Sequence, residues 1–189
     1  HAPVFMGPAN AAEGTGVMLL SGAAAAREAL RPALQAMTGK VVDLGDPPGR
    51  AAAFKLFGNL AIIGLVGVLG DINRLAQALG IEAKDAFALF DQFNPGATLP
   101  ARAERVVSAD ATKPSFELAM ARKDLRLMLE EAARGGLPLQ VVPALAALLD
   151  AGIARGEGAH DLVGAAPAHD AAGRAPRAWR RPAPRPCLP

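Results

Sequence analysis

Residues 51–80 read AAAFKLFGNLAIIGLVGVLGDINRLAQALG and are apolar nearly all the way round over their first two thirds. A helix of that character belongs in the middle of something. Lys55 and Asn59 interrupt the apolar run, and a spacing of four sets them one above the other on a single helical face. A lysine taken out of water finds a partner, reaches back to solvent or gives up its proton. Two readings follow: Lys55 lays its methylenes over apolar neighbours and keeps its ammonium wet, or Lys55 and Asn59 form a site. The uncharged part, from Leu56 to Gly70, is shorter than the roughly 20 residues of a membrane span, and Asp71 and Arg74 close it with charge. No membrane association is expected.

Working outward, residues 2–5, 17–21 and 40–44 read as short strands, with a helix over 23–37 that stops at Gly39 and a loop rich in Gly, Pro and Asn between the first two strands. Gly45-Asp46-Pro47-Pro48-Gly49 breaks the chain before the long helix. Everything later is helical: 83–90, then 100–107 opened by Pro100, then 116–134 with Ser115 as N-cap and Gly135-Gly136 as stop, then 143–155. The fold class is therefore mainly α, preceded by a short α/β piece. The expected organisation is an α/β part at 1–50, a helical domain at 51–163 and an Ala/Pro/Arg-rich tail at 164–189.

The tail carries Arg174, Arg177, Arg180, Arg181 and Arg185 against Asp170, while the body is slightly acidic, so the basic balance of the whole chain comes from its end. That excludes a basic folded face of the kind nucleic-acid binding requires. The tail has no hydrophobic period and is expected to be disordered. Cys187 is the single cysteine, which rules out an internal disulfide and a thiolate metal cluster. His1, His160 and His169 have no metal-ligand spacing. The N-terminus has no signal-peptide pattern and starts on a strand, so the chain is expected to begin inside a longer, cytoplasmic protein.

Two further constellations stand out. Phe116, Met120, Lys123 and Leu127 share a helical face at spacings of four, three and four. They form either a solvated face with an Arg122-Lys123-Asp124 charge run or a second cationic site with an apolar wall. Phe5, Met6 and Gly7 follow a strand, where α/β proteins bind ligands at loop backbones; a tight turn needing Gly7 is the simpler account. The glycines at 64, 67 and 70 lie inside a helix and not at a strand-to-helix turn, so they read as room for a second helix and not as a dinucleotide fingerprint.

Taken together, residues 2–163 resemble the C-terminal part of the β-hydroxyacid dehydrogenase family, which includes 3-hydroxyisobutyrate dehydrogenase and the glyoxylate/succinic semialdehyde reductases and is related to 6-phosphogluconate dehydrogenase. A-P-V at 2–4 with Gly14-Thr15 after it, F-K-L-F-G-N at 54–59 and F-E-L-A-M-A-R-K-D-L at 116–125 carry the resemblance. It implies the last strands of a Rossmann domain followed by an all-helical domain of the 6-phosphogluconate dehydrogenase type. It also implies NAD or NADP as cofactor, a small hydroxyacid or aldehyde-acid substrate, and a homodimer or higher homo-oligomer. By the same resemblance Lys55 is the catalytic general acid/base and Asn59 holds substrate beside it. Phe5, Met6 and Gly7 occupy the substrate loop, and Lys123, Phe116 and Asp124 lie at the cofactor.

Departures matter for substrate. Many family members continue A-P-V with Ser-Gly-Gly, whose hydroxyl and amides hold the substrate carboxylate. Here Phe5-Met6-Gly7 stands instead, which implies a bulkier or less polar substrate, with Asn10 as a candidate replacement polar group. The family's G-x-G-x-x-G unit precedes everything in this sequence, so the isolated chain is expected to be inactive, with unpaired strand edges that favour association. The alternative from a different class is a non-catalytic helical interaction or dimerisation module, in which Lys55 and Lys123 are structural.

Overall fold

A computed structural model describes residues 1–108 and 111–165. Residues 166–189, which contain most of the tail and Cys187, lie outside the described residues. The described residues are mainly helical with one small sheet, and the chain divides into two compact units, the first His1–Leu69 and the second from Gly70 onward. The first unit thus takes in most of the long apolar helix, beyond the 1–50 stretch that the sequence marks as α/β.

In the first unit, three strands, β1 (Val4–Phe5), β2 (Val17–Leu20) and β3 (Lys40–Asp43), form a sheet of order β1-β2-β3. β2 pairs antiparallel with β1, Val4 opposite Met18, and parallel with β3, Val17 opposite Lys40. Met18, Leu19 and Leu20 are buried, as an apolar central strand should be. Between β1 and β2 the expected loop is in fact a short helix, α1 (Pro8–Glu13). Pro8 at its first position fits, and Gly14 at φ 64 ends it in the left-handed conformation. α2 (Ala24–Ala36) then crosses to β3, the crossover that a parallel pair needs. Arg27 from α2 donates to Asp43 at 2.5 Å and to Asp46 at 2.5 Å, and Arg31 also pairs with Asp43. The Gly45 N–H and these guanidiniums hold the Asp43 carboxyl below its usual range against the opposing effect of burial.

α3 (Arg50–Ala78) is the long helix, and its expected role as a buried core helix is not met among the described residues. Leu56, Phe57, Leu60, Ile63 and Val66 are each more than three-fifths exposed. The helix is long and apolar enough to cross a membrane by length and composition alone, longer than the uncharged run from Leu56 to Gly70 suggests. The reason is that the flanking Arg50 and Asp71 do not end the helix.

In the second unit, α4 (Ala83–Gln92), a 3₁₀ turn Pro95–Thr98, α5 (Leu99–Ser108), α6 (Leu118–Arg134), α7 (Val142–Ala154) and a 3₁₀ turn Leu162–Ala165 follow in order. Leu118, Ala121, Leu149 and Ala165 make one core cluster, and Ala132, Leu139 and Val142 another, the latter packed with Leu75 and Met128. Gly135 lies so close to Ala78 that a Cβ there would meet the Ala78 Cβ at 2.5 Å. Gly164 and Ala165 belong to this fold and not to the tail, since Ala165 is 2% exposed.

Two buried carboxylates knit the unit. Asp71 accepts the N–H groups of Gln140, Val141 and Val142 at 2.7, 2.8 and 3.0 Å and so caps α7 from another helix. Asp161 accepts from the Ser115, Phe116 and Val163 N–H groups and the Ser115 hydroxyl, and Arg105 lies 2.9 Å from it. Burial pushes each carboxyl up, but the backbone N–H donors outweigh it and leave both below the usual range.

Candidate functional site

The entry to α3 is fixed by Ser21, which follows the buried strand β2 and is 1% exposed. Its hydroxyl donates to the Pro48 carbonyl at 2.9 Å and accepts the Ala51 N–H at 3.0 Å. Ala51 is fully buried. One helical turn beyond that anchor stands Lys55, half-buried, with Gly58 and Asn59 on the same face three and four residues on.

The Lys55 ammonium sits 4.0 Å from the centroid of the Phe5 ring, a cation–π contact. The same ring fills the space beside Gly58, where a Cβ would come within 2.2 Å of the ring Cζ and 2.6 Å of Cε1. Sheet and helix therefore meet where Phe5 ends β1 and α3 begins. Among the described residues, no carboxylate lies within ion-pair distance of Lys55. Asn59 is half-buried on the lysine's face.

Met6 and Gly7 lead from β1 into α1. The Met6 side chain leans on Gly16, where a Cβ would meet Met6 Cγ at 2.7 Å, and Gly16 at φ 91 is a true glycine position. Gly7 is not forced to be glycine by a turn: its φ is −89 and ψ 175, extended backbone that any residue adopts. Asn10 is not a free replacement for the missing hydroxyl. Its Oδ1 accepts the Gly7 N–H at 3.0 Å and its Nδ2 donates to the Thr15 hydroxyl at 3.0 Å, so the amide fixes the turn.

In the second unit, α6 starts at Leu118 with Glu117 as N-cap, so Phe116 precedes the helix and Ser115 is not its cap. The Phe116 main chain is clamped on both sides, its N–H to Asp161 at 3.3 Å and its carbonyl receiving the Leu162 N–H at 2.8 Å. The residue remains 39% exposed. Met120 and Leu127 are exposed to a similar degree. The Lys123 ammonium pairs with Asp124 at 2.9 Å, and both side chains remain open to solvent.

Sequence reasoning missed Ser21, Gly58, Asp71 and Asp161. Lone serines, glycines and aspartates give no periodic signal, and only the contacts reveal their partners.

Residues 49–168 match the family model described as the NAD-binding part of NADP-dependent 3-hydroxyisobutyrate dehydrogenase, so the cofactor class of the family is NAD or NADP. The L-threonate dehydrogenase of Cupriavidus necator is 31% identical over 165 residues, covering 85% of this chain and 54% of the relative. The 3-sulfolactaldehyde reductase of Escherichia coli is 28% identical over 161 residues, covering 84% and 53%. The chain thus spans about half the length of the curated relatives it matches. Among solved structures, an imine reductase from Myxococcus stipitatus in complex with NADP+ shares the fold, with a TM-score of 0.80 at 18% identity over 87% of this chain and 58% of that one.

Proposed function

This chain belongs to the NADP-dependent 3-hydroxyisobutyrate dehydrogenase family, and from that premise we propose that it is the catalytic-lysine half of a cytoplasmic nicotinamide-dependent oxidoreductase acting on small hydroxyacids or aldehyde acids. Residues 1–50 are the end of its Rossmann domain, and the helices that follow shape the site. When bound, the nicotinamide supplies or accepts the hydride. Lys55 handles the proton: in reduction an ammonium N–H bond breaks as the substrate O–H bond forms, leaving a neutral amine, and oxidation runs the reverse. Asn59, one turn along, holds the substrate oxygen. Phe116 gives the cofactor an apolar wall, and Lys123, tempered by Asp124, gives it a cation.

The observation that supports this best is Lys55 itself. It is half-buried, anchored one turn after a buried strand-to-helix joint, and faced by an aromatic ring instead of a carboxylate. A lysine that only decorates a surface has no need of such a seat. The interaction-module reading leaves the seat unexplained.

The exposed face of α3 supports a homodimer. Gly64 and Gly70 have nothing within 4 Å of where a Cβ would stand, so no contact among the described residues accounts for them. Small residues on an apolar helix without charge from Leu56 to Gly70 suit close approach by the same helix of a second copy, a self-complementary pairing. Neither a nucleic acid nor a membrane is needed to cover that face.

The test is a titration with NAD and with NADP of this chain and of a form extended upstream to the length of its relatives, so that it includes a glycine-rich phosphate-binding turn. Binding by the extended form is expected. Failure of a well-folded extended form to bind either dinucleotide overturns the reading.

A further inference from the structure

We propose that Ser21 is a positioning residue for Lys55: from just past β2 it supplies the N-terminal cap that α3 lacks, and so fixes where along the sheet, and at what rotation, the helix carries its lysine. The inference rests on the assignment of Lys55 as the proton-transfer residue.

The residues at the start of α3 include no capping side chain. Gly49 stands before the helix, and no acidic residue lies in its first turn. A cap ordinarily accepts the N–H of the second or third helical residue. Here the second is Ala51, and its N–H goes to Ser21 Oγ at 3.0 Å. The same hydroxyl donates to the Pro48 carbonyl at 2.9 Å, so one buried oxygen holds both the helix and the turn that leads into it. Other contacts brace only the turn: the Gly22 N–H donates to the Gly45 carbonyl at 3.1 Å, and Arg27 pairs with Asp46. A cap from a helix's own chain strengthens the helix wherever it lies. A cap from the sheet also sets its place.

Lys55 lies on the face so fixed. Ala51, Lys55 and Gly58 stand at i, i+4 and i+7, one stripe of the helix. At one end of the stripe Ala51 is fully buried at the Ser21 bond. At the other, Gly58 meets the Phe5 ring, where a Cβ would come within 2.2 Å of Cζ. Phe5 pairs with Val17 and Ser21 follows Leu20, so both contacts refer α3 to the same two strands. Lys55 is held between them, its ammonium 4.0 Å from the ring centroid. The contacts are about 10 Å apart along the axis. The ring contact is apolar and non-directional; the hydrogen bonds of Ser21 are directional and set the register. Proton transfer needs the donor within hydrogen-bond reach of its acceptor, and a misplacement of about 1 Å costs up to about a hundredfold in rate.

The position is read on this chain alone. Its lysines are dimethylated with ¹³C-formaldehyde and the Lys55 resonance is assigned with Lys55→Arg, so that the Phe5 ring current reports how Lys55 stands to β1. Ser21→Ala removes the cap. Ser21→Cys also weakens it but fills the space, since a thiol is a weak hydrogen-bonding group, and Ser21→Thr keeps the hydroxyl. The resonance is expected upfield in the wild type and in Ser21→Thr, and nearer the exposed lysines in Ser21→Ala and Ser21→Cys. A resonance unmoved by both overturns the positioning. The consequence is read on the extended form with a panel of aldehyde acids, glyoxylate and succinic semialdehyde among them. In Ser21→Ala and Ser21→Cys, kcat is expected to fall by about tenfold to a hundredfold with KM and dinucleotide affinity kept, and Ser21→Thr restores it. A lowered Tm with kcat unchanged makes Ser21 a stabilising cap only and overturns its role in the reaction. Turnover that survives Lys55→Ala, or a wild-type extended form that binds dinucleotide but reduces none of the panel, overturns the assignment of Lys55 and with it this half, whatever the resonance shows.

Discussion

Asp161 takes both the backbone N–H and the hydroxyl of Ser115, at 2.7 and 2.9 Å, across 46 residues of chain. One 1%-exposed carboxylate thereby ties the loop before α6 to the segment after α7, and Phe116 is held in place as a by-product. Because the folded-state pKa is depressed, the stability this carboxylate contributes is fully present above the unfolded value of about 4 and is lost as pH falls toward the folded one. Asp71 is shifted the same way, so the two act in one window. Thermal stability is expected to fall as pH drops below about 5, and in Asp161→Asn the pH slope there should be shallower. At neutral pH the variant should lose about 3 kcal/mol, or roughly 6–12 °C in Tm. An unaltered slope would remove Asp161 from this role.

Asp71→Ala strips three N–H groups at the start of α7 of their acceptor while leaving the helix of which it is part free of any new strain. Hydrogen bonds to a charged acceptor are worth about 1.5–3 kcal/mol in total effect when the partner is left buried. The expected result is a loss of roughly 2–3 kcal/mol, with hydrogen exchange rising first at Val141 and Val142. Protection unchanged at those amides would mean that α7 is capped by some other group.

The long helix, the three strands and the later helices were legible because periodicity and breakers are local signals. Pro8 at the head of α1 was legible in principle too, but its neighbours are small and polar enough to pass for a loop. What sequence could not report is pairing over distance: Ser21 with Ala51, Asp71 with the start of α7, Asp161 with Ser115, Phe5 with Gly58. Ser115 shows the difference well. It has the right chemistry for an N-cap and lies at the right place in sequence, yet a buried carboxylate claims both its polar groups and the helix starts three residues later. The exposure of α3 has a related cause: an all-apolar helix implies a cover, and sequence does not say whether the cover lies in the same chain.

Pairing through α3 predicts a dimer by light scattering. Leu60 and Ile63 are 72% and 69% exposed, so the double variant Leu60→Glu/Ile63→Glu disturbs little inside the chain, and glutamate keeps helix propensity. It should be monomeric with unchanged helical circular dichroism. A wild-type chain that is monomeric at all concentrations would refute the pairing.

Lys55 separates chemistry from architecture. Its contact with Phe5 is worth about 0.5–1 kcal/mol at a partly exposed site, so Lys55→Ala should barely move Tm. In the extended form the same change removes the proton donor, and kcat should fall by roughly 10²–10⁴ with dinucleotide affinity preserved. Lys55→Arg sharpens the distinction. A guanidinium keeps the charge and stacks on the Phe5 ring, but it does not surrender its proton at neutral pH. If Lys55 serves only to attract the substrate or to pack on the ring, arginine should restore much of the turnover. If it transfers the proton, arginine should be as inactive as alanine, and the loss should appear in kcat and not in KM. Turnover in Lys55→Ala within about threefold of wild type, far short of a general acid/base contribution, would rule the proton-transfer role out.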